Sequence, residues 1–274
     1  MGAVSDADAR EALAAAMRRV VVEQSKRANV GHIGSCLSIV DIVATLFSGV
    51  LRRGEDDPDR DRFVLSKGHA ALTLYAALHL TGRLDAAQLE TFCGDGTALA
   101  THPDSAVGGV DFSSGSLGHG LSFGAGAALA AQLDGSGRRV FVLLSDAECN
   151  EGSVWEAVMF AAHHRLGNLV AIVDLNGQQA FGYTDDVLSL APLADRWRAF
   201  GWDVLEVDGH DVAALGGALG ATGGAEGRPR VVIARTVFGK GVGFMESRIE
   251  WHYWPLSDEQ HRQALAEVAG APAG

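Results

Sequence analysis

Apolar runs alternate with helical patterns in the second half of the chain. The runs lie at residues 140–144, 169–173, 203–207 and 231–235, with helical periodicity between them at about 152–166, 191–200 and 211–220. Strands that alternate with helices form βαβ units, in which the strands are parallel. We therefore predict an α/β fold with a doubly wound, mostly parallel sheet and helices on both faces.

The first half of the chain and its C-terminal end are more helical. Periodicity predicts helices over residues 6–28, 38–51 and 257–268, the last with Ser257 as its N-cap before Gln260. The stretch DRFVLSKGHAALTLYAALHLTG predicts a short strand, a turn at Lys67-Gly68-His69 and a helix that Gly82 ends. Residues 94–118 and 236–256 lack a period, and we expect loops there.

Composition narrows the class of protein. The 274 residues, 47% hydrophobic and 20% charged, are typical of a globular chain with one large α/β domain or two small ones. The net charge of −12 argues against nucleic-acid binding. Three scattered cysteines without a CxxC pair indicate neither a disulfide framework nor a zinc site, and a reducing cytoplasm fits them best.

Two segments bear on export and membrane insertion. The N-terminus shows no charged region followed by an apolar region, so we expect no signal peptide. Residues 112–133 contain no charged side chain and are long enough to suggest a membrane span. The first half of that segment consists largely of Gly, Ser and His, so we reject the span and expect no membrane contact. Its small residues favour a helix that another element approaches closely.

Acidic residues follow the predicted strand at 140–144. For an isolated strand and helix, Asp146 would be a helix cap. The next strand, however, ends at Asp174-Leu175-Asn176, and consecutive parallel strands usually lie close together. Asp146 and Asn176 would then share the edge of the sheet where open α/β folds bind ligands. A carboxylate, an amide oxygen and a loop carbonyl suit Mg²⁺, which would in turn hold a diphosphate.

The same residues resemble the thiamine-diphosphate motif of the transketolase family, which is Gly-Asp-Gly after a strand and Asn about thirty residues later. Here the motif is Ser145-Asp146-Ala147 followed by Asn176, so both glycines are replaced. The resemblance implies that Asp146, Asn176 and the main-chain carbonyl of Gln178 bind Mg²⁺, or another divalent cation such as Ca²⁺ or Mn²⁺. A motif that required a positive φ at Ala147 would be strained. The literal Gly-Asp-Gly at 94–96 has no matching Asn, and we predict a turn there.

Four further blocks resemble the family in the same order along nearly the whole chain. They are VGHIGSCLSIVDI, DRFVLSKGHAALTLYAALHLTG, THPDSAVGGVDFSSGSLGHGLSFGAGAALA and FGKGVGFMESRIEWHYWPL, and they carry His32, His69, His102 and His252. A lone loop histidine is more often a surface residue than a catalyst. The resemblance implies that these four line a substrate channel. His69 and His102 would contact the donor's carbonyl end, and His32 and His252 would move hydroxyl or aldehyde protons.

The resemblance also implies a set of cofactor-binding residues. They are Gly115, Leu117, Asp146, Ala147, Glu148, Glu151 and Asn176, with Gly115 and Leu117 offering main-chain groups to the aminopyrimidine ring. Glu151 resembles an acid that links two active sites at a subunit interface, although stabilisation of a first helical turn explains it equally well. Lys67 would favour an anionic substrate, but we expect a solvated surface lysine.

The length of the chain sets the predicted assembly. Full-length transketolases carry a second α/β domain, which supplies the glutamate that protonates the aminopyrimidine ring, and a C-terminal domain. The resemblance therefore implies that residues 1–274 are a single thiamine-diphosphate-binding domain, the diphosphate-binding subunit of a split transketolase. A second transketolase-like subunit would complete an α2β2 assembly that transfers a two-carbon ketol unit between sugar or sugar-derived substrates. The helix at 120–133 is a candidate contact with it.

Two other functions remain open from the sequence. One is a subunit of a thiamine-dependent 2-oxo acid decarboxylase or acyltransferase, against which the four histidines favour sugar chemistry. The other is a non-catalytic scaffold that has lost the cofactor, as the replaced glycines suggest. Asp146 and Asn176 count against a scaffold, because it needs no metal ligands. A nicotinamide-binding protein is set aside, because GSLGHGLSFG is not a GxGxxG motif after a strand.

Overall fold

A parallel sheet lies at the centre of the computed structural model, which describes residues 5–270 except 53, 55–56, 222–223 and 225–226. The strands are β1 (Arg62–Leu65), β2 (Val140–Ser145), β3 (Leu169–Leu175), β4 (Gln178–Gln179), β5 (Gly182–Tyr183), β6 (Asp203–Asp208) and β7 (Arg230–Arg235). Five of them form the sheet in the order β1-β2-β3-β7-β6, and every neighbouring pair is parallel. The predicted fold class is confirmed. Strands β4 and β5 form a small antiparallel hairpin.

Helices cover both faces of this sheet. They are α1 (Asp6–Ala28), α2 (Ile33–Ser38), α3 (Val40–Thr45), α4 (Ala71–Leu80), α5 (Ala86–Leu89), α6 (Gly120–Leu133), α7 (Gly152–His163), α8 (Thr184–Leu188), α9 (Leu193–Ala199), α10 (Val212–Gly220) and α11 (Asp258–Gly270). Strand β2 is buried throughout and apolar before Ser145, because side chains from alternate positions enter two separate cores. Phe141 and Leu143 pack in one core, and Val142 and Leu144 pack in the other.

The predicted starts of the first and last helices agree with the structure. Helix α1 begins after Ser5, whose side chain accepts from the Asp8 N–H in a capping box. Before α11, Ser257 Oγ accepts from the Gln260 N–H at 3.2 Å, and Gln260 Oε1 accepts from the Ser257 N–H at 2.9 Å. Ser257 is therefore the N-cap that the sequence predicts. The single domain over residues 1–274 stays a prediction.

The single helix predicted over residues 38–51 is wrong. The chain is already helical from Ile33, breaks at Ile39 between α2 and α3, and continues in a π-helical segment, Leu46–Val50, where Gly49 has a φ of 142°. The cause is burial: α3 is enclosed on all sides, so its apolar residues carry no period from which a break could be inferred. The β4–β5 hairpin and α8 were not predicted.

Close packing explains the small residues of α6. A Cβ atom at Gly124 would lie 2.4 Å from Cγ2 of Val142, so glycine lets the helix approach β2 closely. In the described part of the chain, no helix is both long and apolar enough to cross a bilayer. The Gly94-Asp95-Gly96 sequence lies in a turn, as predicted, with Gly96 at a φ of 74°.

Candidate active site

Asp146 and the loop that carries Asn176 lie together at the carboxyl edge of the sheet. Strands β2 and β3 are neighbours, with Ser145 opposite Asp174. The Asp146 N–H donates to the Asp174 carbonyl at 3.1 Å, and Asp146 Oδ2 accepts from the Gly177 N–H at 2.9 Å. The two strand ends are therefore joined directly by hydrogen bonds.

Asp146 is a buried carboxyl group that lies near a second carboxylate, that of Asp174. Burial, and then the charge of Asp174, raise its pKa to about 7, although the N–H groups of Ala147 and Gly177 act in the opposite direction. Within the described residues, no lysine, arginine or histidine forms an ion pair with it. A divalent cation beside this carboxylate would supply the missing positive charge.

The donor atoms at this edge fit a hard divalent cation. Asn176 is oriented by Asp174, whose Oδ2 accepts from Asn176 Nδ2 at 2.8 Å, and the Asn176 amide oxygen accepts from the Gln178 N–H at 2.9 Å. No group of three or more His, Cys, Asp or Glu side chains in the described ranges is arranged to hold a metal. A cation held by one carboxylate, one amide and one carbonyl would need phosphate or water to complete its coordination.

Replacement of the two motif glycines does not strain the backbone. Ala147 begins a 3₁₀ turn, Ala147–Asn150, and does not have a positive φ. Ser145 Oγ accepts from the Glu148 N–H at 3.0 Å, so the serine stabilises this turn. The turn after β2 therefore forms without glycine.

The expectation that Lys67 is a solvated surface lysine is wrong. Its side chain is 1% exposed, and its Nζ donates to Asp174 Oδ2 at 2.6 Å. The turn after β1 brings Lys67 beneath α2, where Nζ also lies 3.4 Å from the Ser35 carbonyl oxygen. The partner carboxylate is 107 residues away in the sequence, so no local pattern indicated this burial.

Three of the four predicted histidines form one cluster. The ring centroids of His32 and His69 are 5.5 Å apart, those of His32 and His252 are 5.0 Å apart, and those of His69 and His252 are 5.4 Å apart. His102 lies beside the loop of Gly115, where a Cβ atom would be 3.8 Å from Cδ2 of the His102 ring.

Backbone contacts bring distant segments together at this cluster. The His32 N–H donates to the His252 carbonyl at 3.1 Å, and His32 has a left-handed φ of 65°. Gly31 makes the approach possible, because a Cβ atom there would lie 2.5 Å from the Tyr253 carbonyl oxygen. His69 belongs to the short helical turn Gly68–Ala70, which follows β1.

The clustered histidines are held neutral. Burial is the largest cause in each case, and it lowers the pKa of His32, His69 and His252, the last to about 4. The positive charge of Lys67 adds to this effect on His69 and His252. At neutral pH each imidazole can therefore donate one hydrogen bond and accept another.

Glu148 holds the loop of Gly115 and Leu117 in place through hydrogen bonds. Glu148 Oε1 accepts from Ser66 Oγ at 2.5 Å and from the Gly118 N–H at 2.7 Å. Glu148 is fully buried and does not line the adjoining cavity. The structure thus links it to the loop, and its direct contact with a cofactor stays a prediction.

A cavity of about 210 Å³ lies between these groups. The predicted site residues that line it are His69, Leu117, Ala147, Glu151, Asn176, Gln178 and His252. Glu151 is exposed, and its side chain makes no capping hydrogen bond to α7. A second cavity of about 670 Å³ borders Asp146 and Asn176 on another side of the loop, but none of the histidines lines it. Asp146, His32 and His102 do not line the smaller cavity. We assign the site to it because it brings Asn176 and Gln178 together with His69 and His252.

Three contacts around the site were not found from the sequence. The Tyr253 hydroxyl donates to the Ala180 carbonyl at 2.5 Å and so joins the segment of His252 to the β4–β5 hairpin. Asp174 also accepts from Ser38 Oγ at 2.7 Å and from the Thr236 hydroxyl. A polar residue inside an apolar strand was the available signal for Asp174, but it does not indicate the partners.

Comparison with known proteins identifies the family. Residues 9–272 match the family profile described as "Transketolase, thiamine diphosphate binding domain". The chain belongs to the transketolase family. It is 39% identical over 256 residues to the 6-deoxy-6-sulfo-D-fructose transketolase subunit SqwG of Clostridium sp. (strain MSTE9), with 92% of this chain and 93% of that protein covered. It is 39% identical over 255 residues to one subunit of the apulose-4-phosphate transketolase of Phocaeicola vulgatus, with 92% and 91% covered.

Solved transketolases have the same fold. The Campylobacter jejuni enzyme matches with a TM-score of 0.88 and 28% identity, over 95% of this chain and 42% of that one. The Pichia stipitis enzyme in complex with sedoheptulose-7-phosphate matches with a TM-score of 0.88 and 29% identity, over 97% of this chain and 41% of that one. The chain spans about two fifths of the length of these enzymes. These comparisons confirm the predicted family and its thiamine-diphosphate-binding domain. They also confirm the resemblance to subunits of split transketolases, which are transferases. Neither of the two alternative functions is favoured.

Proposed function

We propose that this chain is the diphosphate-anchoring subunit of a two-component transketolase that transfers a two-carbon ketol unit between sugar or sugar-derived substrates. The shared cavity carries the proposal, because Asn176 and Gln178 of the cation-binding loop line it together with His69 and His252. Oxygen donors for a cation and neutral imidazoles for hydroxyl groups are the two kinds of group that this reaction needs.

The proposed cation is Mg²⁺, held by the Asp146 carboxylate, the Asn176 amide oxygen and the main-chain carbonyl of Gln178. Ca²⁺ or Mn²⁺ would also suit oxygen donors. When bound, thiamine diphosphate supplies the nucleophilic carbon and the electron sink for breaking a carbon–carbon bond. The chain's own part is to anchor the diphosphate next to the histidine cluster.

The histidines would orient the sugar and move its protons. His69 and His102 would donate to the carbonyl oxygen of the donor ketose, and His32 and His252 would exchange protons with hydroxyl or aldehyde groups. The lowered pKa of His252 keeps its imidazole neutral at neutral pH, so one ring nitrogen stays free to accept a hydrogen bond from a hydroxyl group. Gly115 and Leu117 would offer main-chain groups to the aminopyrimidine ring, and Ala147 would allow the diphosphate to approach closely.

A second transketolase-like subunit would supply the missing half of the site in an α2β2 assembly. The names of the two relatives, each a subunit of a transketolase, support a partner. Exposed apolar side chains on α6 and α7, namely Phe123, Met159 and Phe160, offer a surface for it to cover. Glu151, at the start of α7, would face that interface.

Anionic sugars are the proposed substrate class. One relative is named for a sulfo-substituted fructose and the other for a sugar phosphate, apulose-4-phosphate. Because the two names differ, they support the charge of the substrate more than its carbon skeleton.

Turnover by the reconstituted enzyme tests this function. The chain would be mixed with the second transketolase-like chain of the same organism, thiamine diphosphate and MgCl₂. The donors would be xylulose-5-phosphate, fructose-6-phosphate and 6-deoxy-6-sulfo-D-fructose, and aldehyde release would be followed. We expect transfer that requires both chains, is lost in Asp146→Ala and persists in Asp95→Ala, whose site lies in an exposed turn. Cofactor-loaded chains that transfer no ketol unit from any donor would contradict the proposal.

A further inference from the structure

Gln178 carries a buried side-chain amide without a hydrogen-bond partner among the described residues. The residue is 5% exposed, yet neither Nε2 nor Oε1 has a hydrogen-bond partner. Its main chain is well bonded, because the N–H donates to Asn176 Oδ1 at 2.9 Å and the residue pairs with Tyr183 in the β4–β5 hairpin. The backbone thus holds the residue in place while the amide is left without partners.

This arrangement is unusual for a folded protein. Buried amides are nearly always paired, because an unpaired one has lost its hydrogen bonds to water and gained none. Among the described residues, only Gln178 has both a buried side-chain donor and a buried side-chain acceptor without a hydrogen-bond partner. A methionine of similar length would fill the same volume without that cost.

The place of the amide points to a ligand. Gln178 lines the cavity of about 210 Å³ together with Lys67, His69 and His252. A molecule that fills this cavity from the sugar side would lie between the histidines and the β4–β5 hairpin. Rotation of the Gln178 side chain into the cavity would bring its amide within reach of that molecule.

The chemistry of the amide selects among the proposed ligands. Diphosphate oxygens accept hydrogen bonds and do not donate them, so a diphosphate would satisfy Nε2 and leave Oε1 unpaired. Hydroxyl groups both donate and accept. We propose that the side-chain amide of Gln178 binds two neighbouring hydroxyl groups of the ketose, with Nε2 donating to one and Oε1 accepting from the other. This inference rests on the proposed transketolase function and adds Gln178 as a specificity-determining residue.

A Gln178→Met variant separates this role from cofactor anchoring, because it keeps the main-chain carbonyl. For the free chain we expect a higher midpoint of thermal unfolding than in the wild type. Titration of the two-chain enzyme with thiamine diphosphate and Mg²⁺ should give a dissociation constant within about threefold of wild type. The KM for the best ketose donor of the panel should rise about tenfold, because the hydroxyl contacts are lost.

Gln179→Met is the matched control for stability. Its Nε2 donates to Asn150 Oδ1 at 3.3 Å, so the same change removes a partnered amide and should not raise the unfolding midpoint. Gln178→Leu provides a second variant if methionine disturbs the hairpin.

The possible failures can be told apart. A wild-type enzyme that binds no cofactor and transfers no ketol unit would overturn the proposed function and this inference with it. Wild-type activity combined with an unchanged KM in both Gln178 variants would overturn the inference alone. Cofactor binding weakened tenfold or more in the variants, at unchanged KM, would assign the amide to the cofactor and overturn the sugar contact.

Discussion

Lys67 Nζ lies 2.6 Å from Asp174 Oδ2, and the two side chains are almost completely buried beneath the proposed cation site. Asp174 Oδ2 also accepts from Asn176 Nδ2 at 2.8 Å, and Ser38 Oγ donates to Oδ1 at 2.7 Å. The ion pair thus neutralises the carboxylate that orients Asn176. Lys67 therefore supports the site through Asp174, without being a proposed ligand.

Removing Lys67 should weaken both the fold and the cation site. Lys67→Met leaves Asp174 buried without a positive partner, which typically lowers the free energy of unfolding by about 3–5 kcal/mol. Asn176 would lose its fixed orientation, so Mg²⁺-dependent cofactor binding should also weaken. Urea unfolding and cofactor titration measure the two effects.

Lys240→Met is the control for loss of a lysine charge. Lys240 Nζ is 3.6 Å from Glu246 Oε1, and both side chains are partly exposed. Such a pair typically contributes less than about 1 kcal/mol. Equal losses of stability in the Lys67 and Lys240 variants would show that the buried pair has no special importance.

Restoring the family glycines should not improve the site. Ala147 lies in a helical turn without a positive φ, so Ala147→Gly should cost up to about 1 kcal/mol of stability in added chain entropy. Ser145→Gly removes the acceptor of the Glu148 N–H, at a cost of about 0.5–1.5 kcal/mol. Thermal unfolding and cofactor titration of the double variant check this prediction. Cofactor binding tenfold tighter than in the wild type would contradict it, because it would show that the replaced glycines weaken the site.

His252 should make the free chain less stable in mild acid. Its pKa is about 4 in the folded state, below the ordinary value of 6.5. Between these values the unfolded chain binds more protons, so lowering the pH favours unfolding. The contribution of His252 is therefore complete above pH 6.5 and is lost as the pH falls toward 4.

Comparison with His252→Gln isolates this effect. Buried acids whose pKa is raised, such as Asp146 and Glu148, oppose it, but they are present in both chains. The free energy of unfolding should fall less from about pH 7 to 5 in the variant than in the wild type. His163→Gln, at the exposed end of α7, is the control. Parallel pH profiles for wild type and His252→Gln would contradict the prediction.

Most of the sheet was predictable from the sequence because its strands carry local signals. Apolar runs for β2, β3, β6 and β7 are separated by helical patterns, and Asp146 and Asn176 follow two of those runs. Their placement at one edge needed only the rule that consecutive parallel strands lie close together. The short hairpin and the break at Ile39 carry no such signal.

The details of the site depend on contacts between distant segments. His32 and His252 meet because Gly31 allows the backbone of Tyr253 to approach, which no residue pattern near either histidine reveals. Lys67 is buried because Asp174 supplies a counter-charge. The family resemblance indicated the four histidines. Only the folded chain shows which of them lie in contact and that the amide of Gln178 is unpaired.

Isothermal titration of thiamine diphosphate in MgCl₂ tests the central claim most directly. It would be run on this chain alone, on this chain with the second transketolase-like chain, and on the same mixture with Asp146→Ala or Asp95→Ala. The account predicts saturable, Mg²⁺-dependent binding that requires the second chain, disappears in Asp146→Ala and persists in Asp95→Ala. Binding that survives in Asp146→Ala, or no binding by the wild-type pair, would contradict it.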